Sequence, residues 1–538
     1  MMIYTKNILI KQKFFLVAVV LTFNINCALP YDLIKSDFNI ILKDGTKIEC
    51  TSFTPEMQKP DNGFPCIVYC HGFGKSKEDI IPSAESFARN GIYTFTYSMR
   101  GQGNSGGYSN LISRTEMYDL MEIIAKLKED ENIDGNNIAI AGSSQGGIIP
   151  FMACCYGLNI KCIVADLTSP EFASNWIDNG CVKMSLLWSL SYENNIVRYN
   201  PVIKTYRDWI LSGKKDKWDS IKLYLPENRD FTKEVSNNTV PSYFSNSWED
   251  NFFNANGLIK SSPDFNNDYN LYFGTVMGHG SAFFDGEDKY HNESITEWLN
   301  KYILNTGTQY DFPKYVFAYS SVPVVNTAWS YYQYNSEISP FQTTTPLNFY
   351  FHPQNKLSEQ PYDKGKESVV LENKVLDSTL TMNEAVNFEF SGDNFTKRFL
   401  KNEIYFDSEP LEFNYNMLGI PALHLEYSSD ANVCQFNFQI WEVCTDGITK
   451  FVSSINYTDR KYTPDKIKEA DIEGNATGHI FSEGNKIRIV ITNLDTRYGD
   501  YFLRTNPFVL PVLKKARNLI YLGYLRGTYL QIPLKENN

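Results

Sequence analysis

Short apolar runs separated by amphipathic stretches mark the first half of the chain. The extended runs Pro65 to Cys70, Ile92 to Tyr97, Asn137 to Ala141 and Lys161 to Ala165 predict four strands. Between the second and third, Thr115 to Asp130 repeats apolar residues at helical spacing, with Met117, Leu120, Met121, Ile124 and Leu127 on one face. Strands alternating with helices predict a parallel sheet wrapped by helices. Ahead of them, Phe38 to Leu42 and Lys47 to Cys50 flank the turn Lys43-Asp44-Gly45-Thr46 and predict a β-hairpin.

From about 169 to 237 that alternation stops. Trp176, Trp188, Tyr192, Trp209 and Trp218 fall in helical material that predicts an inserted cap. Strand and helix return at Pro241 to Asn246, Asn270 to Thr275 and Ser294 to Leu304. Beyond about 310, alternating or β-branched runs such as Leu347 to Phe351, Ala422 to Tyr427 and Lys486 to Ile491 are broken by Asn, Asp, Gly and Pro. They predict an all-β sandwich or jelly roll. No fixed-period repeat is visible.

The first residues change the expected location. Lys6, Lys11 and Lys13 precede the apolar run Phe14 to Leu21, and a polar break follows at Asn24. This is the layout of an export signal over 1–27, too short for a membrane span, which needs ~20 apolar residues. Cys27 is an alternative reading as a lipid-attachment cysteine, although Asn26 before it is a poor match for that role. The balance of 50 basic against 62 acidic residues, net −12, repels phosphate backbones and argues against nucleic-acid partners. The remaining cysteines sit mostly in apolar runs and read as small core residues. No Cys/His cluster has zinc-ligand spacing, so neither metal nor cofactor is expected.

Candidate chemistry begins at Ile138-Ala139-Ile140-Ala141-Gly142-Ser143-Ser144-Gln145-Gly146-Gly147-Ile148-Ile149. A buried strand runs into G-x-S-x-G and then an apolar helix start, the context of a nucleophile elbow with Ser144 at its tip. Ser143 is the competing hydroxyl, without the symmetrical glycine spacing. The helix start would place the Gln145 amide where it can donate to an oxyanion. A serine hydroxyl needs a base, and in this topology the order is serine, acid, histidine. His279, in Gly274-Thr275-Val276-Met277-Gly278-His279-Gly280, follows a strand and precedes a helix. His291 reads as a helix start, and His352, His424 and His479 belong to the β region. For the acid, Ser247-Trp248-Glu249-Asp250 offers two neighbouring carboxylates, with Asp250 preferred over Glu249. In Cys70-His71-Gly72-Phe73-Gly74, the Phe73 amide is the expected second oxyanion donor. His71 reads as shaping that loop. In Tyr97 to Gly106, Arg100 reads as bracing loops.

These segments, in this order, with a cap and a β tail, resemble the X-prolyl dipeptidyl-peptidase and cocaine-esterase family. In the tail, Leu418 to Ser429 and Gln439 to Gly447 carry the likeness. The resemblance implies a serine hydrolase with the α/β-hydrolase fold over 28–168 and 238–308, a helical cap over 169–237 and a C-terminal jelly-roll domain over 309–538. It implies Ser144, Asp250 and His279 as the catalytic triad. The implied substrate is a peptide or a small ester; the alternatives are a carboxylic-ester hydrolase or acyltransferase with the same machinery, or an inactive exported binding protein. Family members commonly carry Tyr after the nucleophile and use a Tyr hydroxyl in the oxyanion hole. Gln145 and the Phe73 loop depart from that, which implies a hole made of backbone amides and leaves X-prolyl specificity open. Glu171 and Asp178 in the cap are candidates for pairing a substrate amine.

Overall fold

The computed structural model describes residues 30–191, 197–274, 278–280, 285–304, 310–319, 330–334, 338–362, 365–379, 384, 396–496 and 507–535. The expected export signal and Cys27 lie outside the described residues.

Ten strands form the first sheet: β1 (Leu33–Ile41), β2 (Lys47–Pro55), β3 (Phe64–Cys70), β4 (Tyr93–Tyr97), β5 (Ile133–Ser143), β6 (Cys162–Asp166), β7 (Ser242–Ser247), β8 (Tyr269–Gly274), β9 (Tyr315–Tyr319) and β10 (Ser330–Tyr334). Their spatial order is β1-β2-β4-β3-β5-β6-β7-β8-β9-β10. From β4 across to β9 every pairing is parallel, while β1, β2 and β10 are antiparallel additions at the edges. The order reverses at β3, which lies between β4 and β5. Connections leaving β3 and β5 therefore diverge and open a crevice at their carboxyl ends, the place where such sheets bind ligands.

The helices that cover this sheet are locally encoded. After α1 (Ile81–Ala88), α2 (Arg114–Leu127) opens on Ser113, whose Oγ accepts from the Thr115 amide while Glu116 reaches back to the Ser113 amide at 2.9 Å. Every residue of α3 (Gln145–Cys155) is buried, because it packs between the sheet and α2. Buried side chains on the two sides of the sheet form separate cores, one containing Val68, Ile140 and Ile148, the other Ile67, Ala139 and Tyr243. That split is the strand alternation of period two.

The inserted segment folds as α4 (Phe172–Asn175), α5 (Met184–Ser191), α6 (Pro201–Ser212) and α7 (Lys215–Glu227). Buried Arg229 bolts it down by donating to the Leu111 and Asn110 carbonyls. Short α8 (Asn256–Ser261) and the 15-residue α9 (Asp285–Leu299) follow in the same domain.

Two expectations need correction here. β9 pairs with β8, and β10 with β9, so the first sheet continues past 308 and the β domain does not begin at 309. The run Tyr315-Val316-Phe317-Ala318-Tyr319 reads as a strand in either domain, and only its pairing assigns it. His291 is not at a helix start either; it lies inside α9, buried against the sheet. Beyond residue 338, mostly antiparallel strands build a β-rich domain around its own core, which contains Phe351, Phe436, Phe438, Ile489 and Ile520. Among the described cysteines all are free thiols, and only Cys444 is not buried.

Candidate active site

β5 delivers the chain into a turn that few residues could make. Ser144 takes φ +60° and ψ −125°, strained for a residue with a Cβ. A Cβ on Gly142 would stand 2.5 Å from the Cys70 and Gly146 carbonyl oxygens, and one on Gly146 would stand 2.1 Å from the Cys70 oxygen. Both glycines thus let β3 and the turn approach backbone to backbone. The Ser144 amide donates to the Asp166 carbonyl at 2.9 Å, tying the tip of the turn to β6.

The loop after β7 brings Asp250. Asp250 is fully buried; its Oδ1 accepts from the Phe252 and Phe253 amides at 2.7 and 3.1 Å, which leaves Oδ2 for another partner. That partner is His279 Nδ1 at 2.6 Å, and His279 Nε2 lies 2.8 Å from Ser144 Oγ. With Nδ1–H donating to Asp250, Nε2 carries the lone pair that faces the serine proton. The imidazole packs on the rings of Phe252 and Phe253, at 4.8 and 5.4 Å, and Ser247 Oγ donates to the Gly278 carbonyl beside it. Glu249, the neighbouring carboxylate, turns instead toward the β domain, where Oε2 accepts from Asn475 Nδ2 at 3.2 Å. Ser143 bonds to the Asp166 carboxylate.

The loop after β3 lies over Ser144: a Cβ on Gly72 would be 3.9 Å from Ser144 Cβ. Burial pushes the His71 ring down to about 4, so it is neutral near pH 7. Its Nδ1 donates to the Gly72 carbonyl and its Nε2 accepts from the Met99 amide, both at 2.8 Å. The Phe73 ring stacks on Tyr199 of the cap. Sequence reasoning missed Gln102. Fully buried, it accepts from the Gly74 amide at 3.0 Å and donates to Gln145 Oε1 at 3.0 Å, joining the β3 loop to the residue after the serine. The glycines on either side of Gln102 were its only signal. Arg100 donates twice to Asp119, at 2.6 and 2.7 Å, and once to Asp44, whose carboxyl it holds at about 2.

A second His–Asp pair lies behind the elbow. His291 Nε2 is 3.2 Å from Asp166 Oδ1, and His291 Nδ1 is 3.2 Å from the Tyr243 hydroxyl. Burial would raise the Asp166 carboxyl, but bonds from His291, Ser245 and Ser143 hold it at about 2. Among the described residues one group could offer three metal ligands, His424, Glu426 and Glu469 in the β domain. There Glu426 already accepts from the amides of Tyr524 to Gly527, and Arg526 donates to Glu469, so the chain itself answers the charge.

Two regions match described families. Residues 44–262 match the X-Pro dipeptidyl-peptidase (S15 family), and residues 330–531 match the X-Pro dipeptidyl-peptidase C-terminal non-catalytic domain. The chain belongs to the X-Pro dipeptidyl-peptidase (S15) family. The hydrolase class that the first family model describes applies to this chain. Solved structures share this chain's fold over nearly the whole length. A CocE/NonD family hydrolase from Staphylococcus aureus superposes with TM-score 0.71 at 14% identity, covering 93% of this chain and 94% of that one. An α-amino acid ester hydrolase gives 0.66 at 15% identity, covering 94% and 97%. Curated relatives match only locally. An uncharacterized 31.7 kDa Escherichia coli protein is 33% identical over 105 residues, 19% of this chain and 37% of its own length. A thiohydrolase of Aspergillus aculeatus is 28% identical over 133 residues, 24% of this chain and 40% of its own length.

Proposed function

We propose that this S15 family member hydrolyses an ester or amide bond through Ser144, His279 and Asp250. The observation that carries the reading is the unbroken line from Asp250 to His279 to Ser144, at 2.6 and 2.8 Å, on a strained turn. His279 Nε2 takes the hydroxyl proton as Ser144 Oγ bonds to the carbonyl carbon, and Asp250 stabilises the imidazolium. The carbonyl electrons go to an oxyanion, for which the amides of Phe73 and Gln145 are the proposed donors. The imidazolium returns its proton to the leaving alcohol or amine as the bond to carbon breaks. Water, deprotonated by the same imidazole, then attacks the acyl-serine and releases the acid.

One observation bears on the choice of substrate. Glu171, a candidate partner for a substrate amine, has its Oε2 3.9 Å from Lys260 Nζ, which also pairs with Glu473. A built-in ammonium already serves this carboxylate, and the groups packed on His279 are the Phe252 and Phe253 rings. This favours a neutral acyl group over a free N-terminal dipeptide, so p-nitrophenyl butyrate should be turned over faster than an Ala-Pro p-nitroanilide. For the nucleophile, Ser144→Ala should abolish labelling by a fluorophosphonate probe; undiminished labelling would sink the assignment. Export, proposed from the Lys6 to Asn24 pattern, is checked by the mass of the mature protein in the cell exterior fraction.

A further inference from the structure

We propose that Asn475, a residue of the C-terminal β domain, is a positioning residue for the triad acid, holding the loop on both sides of Asp250. The proposal rests on the reading of Asp250 as that acid.

Asn475 Nδ2 donates to Glu249 Oε2 at 3.2 Å, one residue before Asp250. Its Oδ1 accepts from Asn254 Nδ2 at 2.7 Å, four residues after. Its neighbours extend the grip: Asn256 Nδ2 donates to the Gly474 carbonyl and Asn256 Oδ1 accepts from the Ala476 amide, both at 2.8 Å. Asn475 is itself fixed, with its amide donating to the Ser454 carbonyl, its carbonyl accepting from Ser453 Oγ, and its second Nδ2 hydrogen going to Ser454 Oγ at 3.1 Å. The following strand, Thr477–Phe481, packs on the acid loop as well, since a Cβ on Gly478 would meet the Trp248 indole at 3.1 Å.

Every polar group in this seam is buried: Glu249 is 4% exposed, Asn254 1%, Asn256 2% and Asn475 7%. Buried polar groups hold their geometry because a lost partner cannot be replaced by water. The loop thus has little freedom between two anchors in another domain, and between those anchors Asp250 meets His279 at 2.6 Å. A displacement of about 1 Å in a triad member can cost on the order of 100-fold in rate. A domain whose family description calls it non-catalytic therefore sets the position of the acid.

The test compares the full-length Asn475→Ala and Asn475→Asp variants with wild type, using p-nitrophenyl butyrate turnover against pH. Asn475→Asp keeps the shape and the Asn254 contact but sets a carboxylate against Glu249, which guards against an alanine variant that fails to fold. Both should lose about 10- to 100-fold in kcat, with KM changed less than about threefold. The acid limb of kcat/KM should move to lower pH, because a displaced Asp250 stabilises the His279 imidazolium less. Asn437→Ala removes another buried asparagine of the same domain, one that donates to the Thr492 carbonyl at 3.0 Å. It should lower the melting temperature without moving the limb. The proposal is overturned if folded Asn475 variants keep wild-type kcat and limb, or if Asn437→Ala moves the limb equally. Asp250→Asn, measured alongside, separates the two readings: retained turnover there would remove the triad itself, whereas an inactive Asp250→Asn beside wild-type-like Asn475 variants removes only the positioning role.

Discussion

Two His–Asp pairs flank Ser144, and they differ in what each imidazole has left to offer. In the first, Asp250 occupies only Nδ1 of His279, and Nε2 meets the serine hydroxyl from a side chain that keeps 23% exposure at the crevice. In the second, His291 is 3% exposed and has both nitrogens engaged by protein groups, Asp166 and Tyr243. Asp166 supports the elbow from behind through its own carbonyl, which accepts the Ser144 amide. Identical residue types therefore do separate jobs. One pair turns a ring nitrogen to the Ser144 hydroxyl, and the other is a closed buried network that holds a backbone in place.

The largest expected effect tests that division directly. His279→Ala should lower kcat by on the order of 10⁴- to 10⁶-fold, and because it takes a partner from the buried Asp250 carboxylate it should also lower stability in urea. His291→Ala should cost stability but spare the rate: it leaves the buried Asp166 carboxylate without its main partner, at about 3–5 kcal/mol, while the folded fraction keeps kcat within about tenfold. Equal losses of kcat in the two variants would erase the distinction. Next in size, Gly146→Ala, whose Cβ would lie 2.1 Å from the Cys70 oxygen, should harm both stability and activity, by about 3 kcal/mol in chemical denaturation.

Acid should act on the buried pair through Asp166. Its folded carboxyl is held at about 2, below the ordinary value near 3.9, so the native state binds fewer protons there than the unfolded chain. The resulting stabilisation of about 2.5 kcal/mol is fully present above pH ~4 and is lost as pH falls from there through 2. Asp166→Asn should flatten that part of a pH–stability curve, and an unchanged slope would argue against the network. The smallest effect concerns the bridge between the two loops: Gln102→Ala should reduce kcat about 3- to 10-fold with little change in KM, read by steady-state kinetics.

How much of this was legible varies by element. The four early strands and α2 were readable because their apolar periodicities are local and long enough to exclude the other period. The end of the first sheet was not, since Tyr315 to Tyr319 could pair in either domain. His291 reads as a helix start because the helical run from Ser294 follows it, whereas α9 begins at Asp285. Gln102 carries no signal beyond its flanking glycines and Asn475 none of its own, because polar amides are common and the partners Gln145 and Asn254 lie 43 and 221 residues away.

By itself the sequence determined the elbow. Gly142, Ser144 and Gly146 are close neighbours, and the steric demand of a strand turning sharply into a helix is met or failed within those few residues. Tertiary structure decided which of two adjacent carboxylates faces His279. Glu249 and Asp250 have nearly the same chemistry, and what separates them is where the loop is pinned, by the Phe252 and Phe253 amides on one carboxylate and by Asn475 of another domain on the other. Such pinning depends on groups brought together only by the folded chain, which is why local pattern could single out Ser144 but geometry had to set Asp250 against His279.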